Sequence, residues 1–282
     1  MEIFSQIAPL MAFLEQKKTA SKSVGLVPTM GALHTGHLAL ISESRKENDL
    51  TVCSIYVNPA QFNDPDDLSR YPRTIDEDKE KLRTAGCDVL FNPSDGEMYP
   101  EKPVIRIDFG PIERILEGEF RPGHFSGVAA VVSRLLNIVQ PAKAYFGQKD
   151  FQQFKIVERL VEEMKFNVLL RSVPIQRDAD GLAMSSRNTR LNESQRKDAI
   201  VLYQSLQLAK RKLAEGIPMS SIRSEIKNNF ELKQSVRIEY LELADASSLV
   251  LLEKATGNSI LLIAGYVSEV RLIDNLLLDS NL

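Results

Sequence analysis

The chain has 282 residues, 43% hydrophobic and 26% charged, with three histidines, two cysteines and a formal net charge of −3. This balance excludes a disordered chain and gives no support to a basic nucleic-acid binder, and the length suits two domains or one large domain with a companion. An anionic substrate must then be held by locally placed basic groups and backbone dipoles.

Ile3, Ile7, Leu10 and Leu14 recur at helical spacing and predict an amphipathic helix over 2–17. Glu2 and Glu15 make this stretch unlike a secretory signal, and no run is long enough to span a bilayer, so the expected location is cytoplasmic. Val24, Leu26 and Val27 predict a short buried strand halted by Pro28, and Leu38, Ile41 and the charges behind them predict a helix from about His37 to 48. Between strand and helix runs Pro28-Thr29-Met30-Gly31-Ala32-Leu33-His34-Thr35-Gly36-His37, which holds two of the three histidines. A helix N-terminus offers unpaired N–H groups and a favourable dipole to an anion, and Gly31 and Gly36 allow phosphate oxygens to approach the backbone. No third ligand stands at zinc spacing, and neither a Walker A loop nor a dinucleotide fingerprint is present.

A strand over 50–57 runs into Asn58-Pro59-Ala60-Gln61-Phe62 and then a long polar loop to Thr74. A helix (74–85), a strand (88–92), a wide apolar helix (126–139), a strand (144–146) and another helix (151–165) follow, with a strand at 168–175. Cys53 and Cys87 lie in the strand runs and read as buried thiols, not a disulfide. The alternation predicts an α/β fold, a Rossmann-like parallel sheet with helices on both faces, whose ligands bind at the carboxyl ends of the strands. The histidine turn, Asn58 with Gln61, and Lys149 with Asp150 all fall at that edge.

Past residue 175 the texture changes. A polar loop (176–188) leads to a long helix behind Asn192, with Gln195 completing a capping box, and the helix ends near Gly216. A second helix starts around Ser220, and strands follow at 236–243, 259–267 and 271–277. The expected division is a nucleotide- and substrate-binding domain over 1–175 and a smaller C-terminal α+β closure domain over 176–282.

The histidine turn resembles the HIGH signature of nucleotidyl-transfer enzymes related to class I aminoacyl-tRNA synthetases, and in its longer form it resembles the pantoate–β-alanine ligase family. Four further stretches agree in order: Val57–Phe62, Arg121–Phe125, Phe146–Gln153 and Met184–Asn188. Synthetases carry a Lys-Met-Ser-Lys-Ser loop, whereas this chain has Ala183-Met184-Ser185-Ser186-Arg187 without either lysine. The resemblance implies ATP-dependent joining of pantoate to β-alanine through a pantoyl adenylate, with magnesium accompanying the ATP, in a homodimer that binds neither nucleic acid nor membrane.

It further implies an ATP-binding set of Met30, Gly31, Ala32, Leu33, His34, Thr35, Gly36, His37, Gly147, Gln148, Lys149, Asp150, Gln176, Met184, Ser185, Ser186 and Arg187. His34, His37 and Lys149 are the expected catalytic groups, His37 being the family's proposed proton donor, and Gln61, Gln153 and Asn58 the expected substrate ligands. On residue chemistry alone, Lys149 suits an α-phosphate and Arg187 offers a donor fork to the outer phosphates. On spacing alone Asp150 reads as the N-cap of the following helix, with Gln153 completing a capping box, and only the resemblance makes it a ribose contact. His124 receives no role, and no magnesium ligand is named. A transferase acting on a phosphate acceptor and a nucleotide-binding module without turnover remain the alternatives.

Overall fold

The computed structural model describes all residues except 102, 232–234 and 279–282. The chain divides into two compact units, Met1–Gln148 with Gln153–Pro174, and Lys149–Gln152 with Ile175–Leu282.

The first unit is built on six strands, β1 (Glu2–Phe4), β2 (Val24–Thr29), β3 (Leu50–Ile55), β4 (Val89–Phe91), β5 (Lys143–Gly147) and β6 (Leu169–Val173), in the order β1-β4-β3-β2-β5-β6. Every pairing is parallel. Its helices are α1 (Ile7–Thr19), α2 (Thr35–Glu47), α3 (Pro65–Ser69), α4 (Ile75–Thr84), α5 (Asp95–Met98), α6 (Glu117–Phe120), α7 (His124–Val139) and α8 (Phe151–Met164), the last beginning in the segment grouped with the second unit.

Strand alternation sorts the core into two layers. Val24, Leu26, Val52, Phe91, Ala144 and Phe146 face α1, α7 and α8, while Val27, Cys53, Ile55, Leu90 and Tyr145 face α2 and α4. Helices therefore cover both faces of the sheet, and the two cysteines are free thiols in the second layer. Burial pushes the Cys53 thiol well up and the Cys87 thiol up to about 11, so neither is a ready nucleophile.

Several expected boundaries move. Residues 2–4 form a strand beside β4, not helix, and Ile3 is left exposed. Pro28 does not end β2, which continues to Thr29. The carbonyl of Val24 accepts from Ala142 on the β5 side and that of Thr29 accepts from Tyr56 on the β3 side, so Pro28, an even number of residues from Val24, faces β5. Pairing with β5 stops at Leu26, so the missing N–H of Pro28 leaves no ladder bond unmade. The polar loop after β3 is broken by a 3-10 turn, Pro59–Gln61, and by α3.

In the second unit, α9 (Glu193–Ala214) and α10 (Met219–Glu231) lie on an antiparallel meander of β7 (Val236–Asp245), β8 (Ser259–Val267) and β9 (Val270–Leu277). The capping box at the start of α9 is formed in both directions, Gln195 N–H to Asn192 at 2.9 Å and Asn192 N–H to Gln195 at 3.0 Å. Among the described residues no helix is long and apolar enough to cross a membrane.

Candidate active site at the switch point of the sheet

From β2 the sheet grows through β3 and β4 on one side and through β5 and β6 on the other. Connections leave β2 and β5 in opposite directions, which opens a crevice at their carboxyl ends, the usual place for a ligand in an open parallel sheet. The histidine turn follows β2 directly, and β5 ends there at Gly147.

The turn is held in an unusual shape. Gly31 has φ +80° and Ala32 has φ +47°, left-handed values that an alanine rarely adopts. The fully buried carboxylate of Asp78, on α4, accepts from Ala32 N–H at 2.9 Å and Leu33 N–H at 2.7 Å, with the Thr74 hydroxyl at 3.3 Å. Thr29 Oγ1 accepts from Gly31 N–H at 3.2 Å and donates to the Ser54 carbonyl at 2.8 Å. Nothing in the sequence singles out Asp78, which stands third in the acidic run Asp76-Glu77-Asp78 with no feature to separate it from its neighbours.

The helix begins earlier than expected, at Thr35, because His34 itself serves as N-cap. Its Nδ1 accepts from Gly36 N–H at 3.2 Å, and the Nδ1 of His37 accepts from His34 N–H at 3.4 Å. Capping is ordinarily the work of Ser, Thr, Asp or Asn, so the spacing rules place the start too late. The bonds also settle the tautomers: each Nδ1 is an acceptor, so each ring is neutral with its proton on Nε2. Protonation at Nδ1 would set an N–H against an N–H. The half-buried rings lie 4.0 Å apart, centroid to centroid.

Beside the turn, Asn58 and Gln61 form a second group. The Asn58 side chain is buried and its amide is occupied by protein: Nδ2 donates to Gln61 Oε1 at 3.0 Å and the Gly127 carbonyl at 3.1 Å, and Oδ1 accepts from Ala60 N–H at 3.3 Å and Tyr99 OH at 2.9 Å. Burial pushes the Tyr99 phenol up, opposed by the Arg134 guanidinium 4.4 Å from its ring centroid, so it remains a donor. Gln61 Nε2 donates to Met30 Sδ at 3.2 Å, joining the two groups. With Oε1 turned inward, Gln61 offers an N–H, not a carbonyl, to a ligand.

His124, left without a role by the sequence, holds this corner from behind. Its Nδ1 lies 2.8 Å from the Gln61 carbonyl, which makes it the donor there, and its Nε2 accepts from Arg121 at 3.2 Å. Arg121 pairs in turn with buried Glu117 at 3.7 Å. Gln153 is half-buried on α8, and Gln148 opens the 3-10 turn after Gly147.

The remaining expected residues lie in the second unit. Lys149 and Asp150 complete the Gln148–Asp150 turn. Gln176 and Met184 are joined, Met184 N–H donating to the Gln176 carbonyl at 2.9 Å, which closes the base of the 176–184 loop. Ser185 caps a 3-10 turn, Ser186–Arg190, its hydroxyl accepting from Arg187 N–H at 3.3 Å, and Ser186 is buried. Among the described residues no three His, Cys, Asp or Glu side chains gather so as to hold a metal ion.

The family model for pantoate-beta-alanine ligase matches residues 2–277. The chain is similar to a pantothenate synthetase of Cytophaga hutchinsonii, 44% identical over 97% of this chain and 98% of that protein, and to one of Caldicellulosiruptor bescii, 41% identical over 99% and 100%. Among solved structures, a pantothenate synthetase of Thermus thermophilus is 42% identical with a TM-score of 0.91, covering 98% of this chain and 99% of that one. The pantoate-beta-alanine ligase of Francisella tularensis, solved in complex with β-γ ATP and β-alanine, is 35% identical with a TM-score of 0.84, covering 98% and 97%. With likeness running the full length of both units and the five motifs all present, the chain belongs to the pantoate–β-alanine ligase family.

Proposed function

We propose that the histidine turn and the Asn58–Gln61 corner carry the chemistry of an ATP-dependent ligase that condenses pantoate with β-alanine. One pantoate carboxylate oxygen attacks the α-phosphorus of ATP, the bond to the β-phosphate oxygen breaks, and pyrophosphate leaves pantoyl adenylate behind. The amine of β-alanine then attacks the acyl carbon, AMP departs, and the amine proton is released with formation of the amide.

The observation that carries this assignment is the pair of Nε2–H donors locked by its own capping box. In the first step, negative charge builds on the equatorial oxygens of the α-phosphate and on the departing pyrophosphate, and preorganised donors stabilise it there. A pair fixed before ATP arrives needs no reorganisation as that charge develops. Neutral rings suit a helix N-terminus, which disfavours an imidazolium until phosphate charge is present. His37 is assigned as a hydrogen-bond donor through Nε2–H to the departing pyrophosphate; its Nδ1 is an acceptor, so the ring keeps its proton throughout.

Gln61 and Gln153 are assigned to pantoate: amides bind hydroxyls and a carboxylate without neutralising the nucleophile as a cation would. Asn58, expected among the substrate ligands, is assigned instead to holding Gln61, because its donors and acceptors are already occupied. Lys149 is assigned to the α-phosphate and Ser185, Ser186 and Arg187 to the outer phosphates, with Gly147, Gln148, Asp150, Gln176 and Met184 completing the ATP set. Magnesium is assigned to the triphosphate it travels with. A cytoplasmic homodimer completes the reading.

Pyrophosphate–ATP exchange tests it. Exchange should require pantoate, and AMP should accumulate only when β-alanine is added. His34→Ala, His37→Ala and Lys149→Ala should each lower kcat by about a hundredfold with a smaller change in the KM for ATP. Exchange that proceeds equally without pantoate would rule out the acceptor, and wild-type kcat in all three variants would rule out the site.

A further inference from the structure

The C-terminal strand β9 carries no motif, yet it places a carboxylate in an apolar stripe. Leu272, Asp274 and Leu276 alternate along the strand and share the face that packs into the second unit's core. A charge there is costly unless it is paired. Asp274 takes Arg177 in a two-pronged contact, Nη1 to Oδ2 at 2.6 Å and Nη2 to Oδ1 at 2.9 Å. Arg177 also donates to the Asn275 carbonyl at 3.1 Å and the Gly181 carbonyl at 3.0 Å, and its guanidinium lies 4.2 Å from the Tyr203 ring centroid. Arg177 stands inside the loop that Gln176 and Met184 close, directly before the Ser-Ser-Arg turn.

The next residue, Asn275, is turned to the opposite face and is 1% exposed. Its Nδ2 donates at 2.9 Å to the backbone carbonyl of Lys149. One step of a strand therefore grips the two segments that supply the lysine and the Ser-Ser-Arg clasp, although both lie far away in the chain.

We propose that Asp274 and Asn275 are a positioning pair for catalysis, Asn275 by fixing the backbone from which Lys149 projects and Asp274 by anchoring the 176–187 loop through Arg177. Neither touches substrate. The proposal rests on the assignment of Lys149 made above. Desolvation, opposed by Arg177, leaves the Asp274 carboxyl raised from its ordinary value.

A double-mutant cycle on the full chain tests the pair, read by kcat for pyrophosphate–ATP exchange together with thermal unfolding. Asn275→Ala should lower kcat by about ten- to a hundredfold, the range a displacement of order 1 Å brings to a positioned group. In a Lys149→Ala background, Asn275→Ala should cost nothing further, because the group it positions is gone. Asn275→Leu, which fills similar volume without an N–H, is the second variant should the alanine variant fold poorly, and it should behave alike. Asp274→Asn should raise the KM for ATP more than it lowers kcat, since it loosens the loop and not the lysine. Wild-type kcat in folded Asn275→Ala or Asn275→Leu, or losses that simply multiply with that of Lys149→Ala, would overturn the proposal. Wild-type kcat in Lys149→Ala alone would instead show the assignment of the lysine to be wrong, a distinct outcome that removes this inference with it.

Discussion

Asp78 shows how much one side chain can hold. Its two oxygens occupy the adjacent N–H groups of Ala32 and Leu33, and without them the left-handed turn before His34 would leave buried donors unmatched. Asp78→Asn conserves shape but turns an amide N–H₂ towards one of those N–H groups. The expected loss is about 1–3 kcal/mol of unfolding free energy, the cost of one unsatisfied buried polar group, with a fall in kcat as the histidine pair shifts. Urea unfolding and exchange kinetics measure both, and an unchanged midpoint with full activity would show that the turn keeps its shape unaided. His124, given no role on its sequence, makes the same point through its bond to the Gln61 carbonyl, where it is a buried strut.

Among the elements, α7 is the one that brings the Asn58–Gln61 corner into place. It packs on the Pro59–Gln61 turn so closely that a Cβ at Gly127 would stand 2.2 Å from the Ala60 carbonyl oxygen and 2.7 Å from Gln61 Cα. Both obstacles are backbone and cannot rotate away. Gly127→Ala must part helix and turn, so a loss of about 1–3 kcal/mol is expected from overpacking, together with a raised KM for pantoate as Gln61 moves. Gly96→Ala, where a Cβ meets nothing within 4 Å, is the matching control. A normal KM for pantoate in Gly127→Ala would separate α7 from the site.

At the scale of the whole molecule, the amino ends of the strands carry an ion cluster remote from the crevice at their carboxyl ends. Glu47 meets Lys143 at 3.0 Å, Arg171 at 3.1 Å and the Tyr145 hydroxyl at 2.9 Å, which hold its carboxyl down to about 2 from an ordinary 4.5. A carboxyl lowered on folding adds stability above its unfolded value and loses it as pH falls through the folded one. Thermal unfolding of the wild type should therefore lose this contribution between about pH 4.5 and about pH 2, and Glu47→Gln should show a flatter profile across that window. The difference should shrink with added salt, because the group is solvent-exposed. Equal slopes for the two proteins would show that the cluster adds nothing to folding.

Periodicity and punctuation were enough to read the parallel α/β sheet, the α9 capping box and the smaller C-terminal α+β domain, because each rests on contacts between residues close in the chain or on a repeat along one strand or helix. The five motif stretches were legible through their resemblance to a known family. What could not be read were partnerships across long separations: Asp78 under Ala32, His124 behind Gln61, and Asn275 against Lys149. The earlier start of α2 escaped as well, since it depends on a histidine ring acting as a cap. A hydrogen bond between distant residues leaves no period in a sequence; it exists only once the sheet has brought both partners within about 3 Å and excluded the water that would otherwise satisfy them.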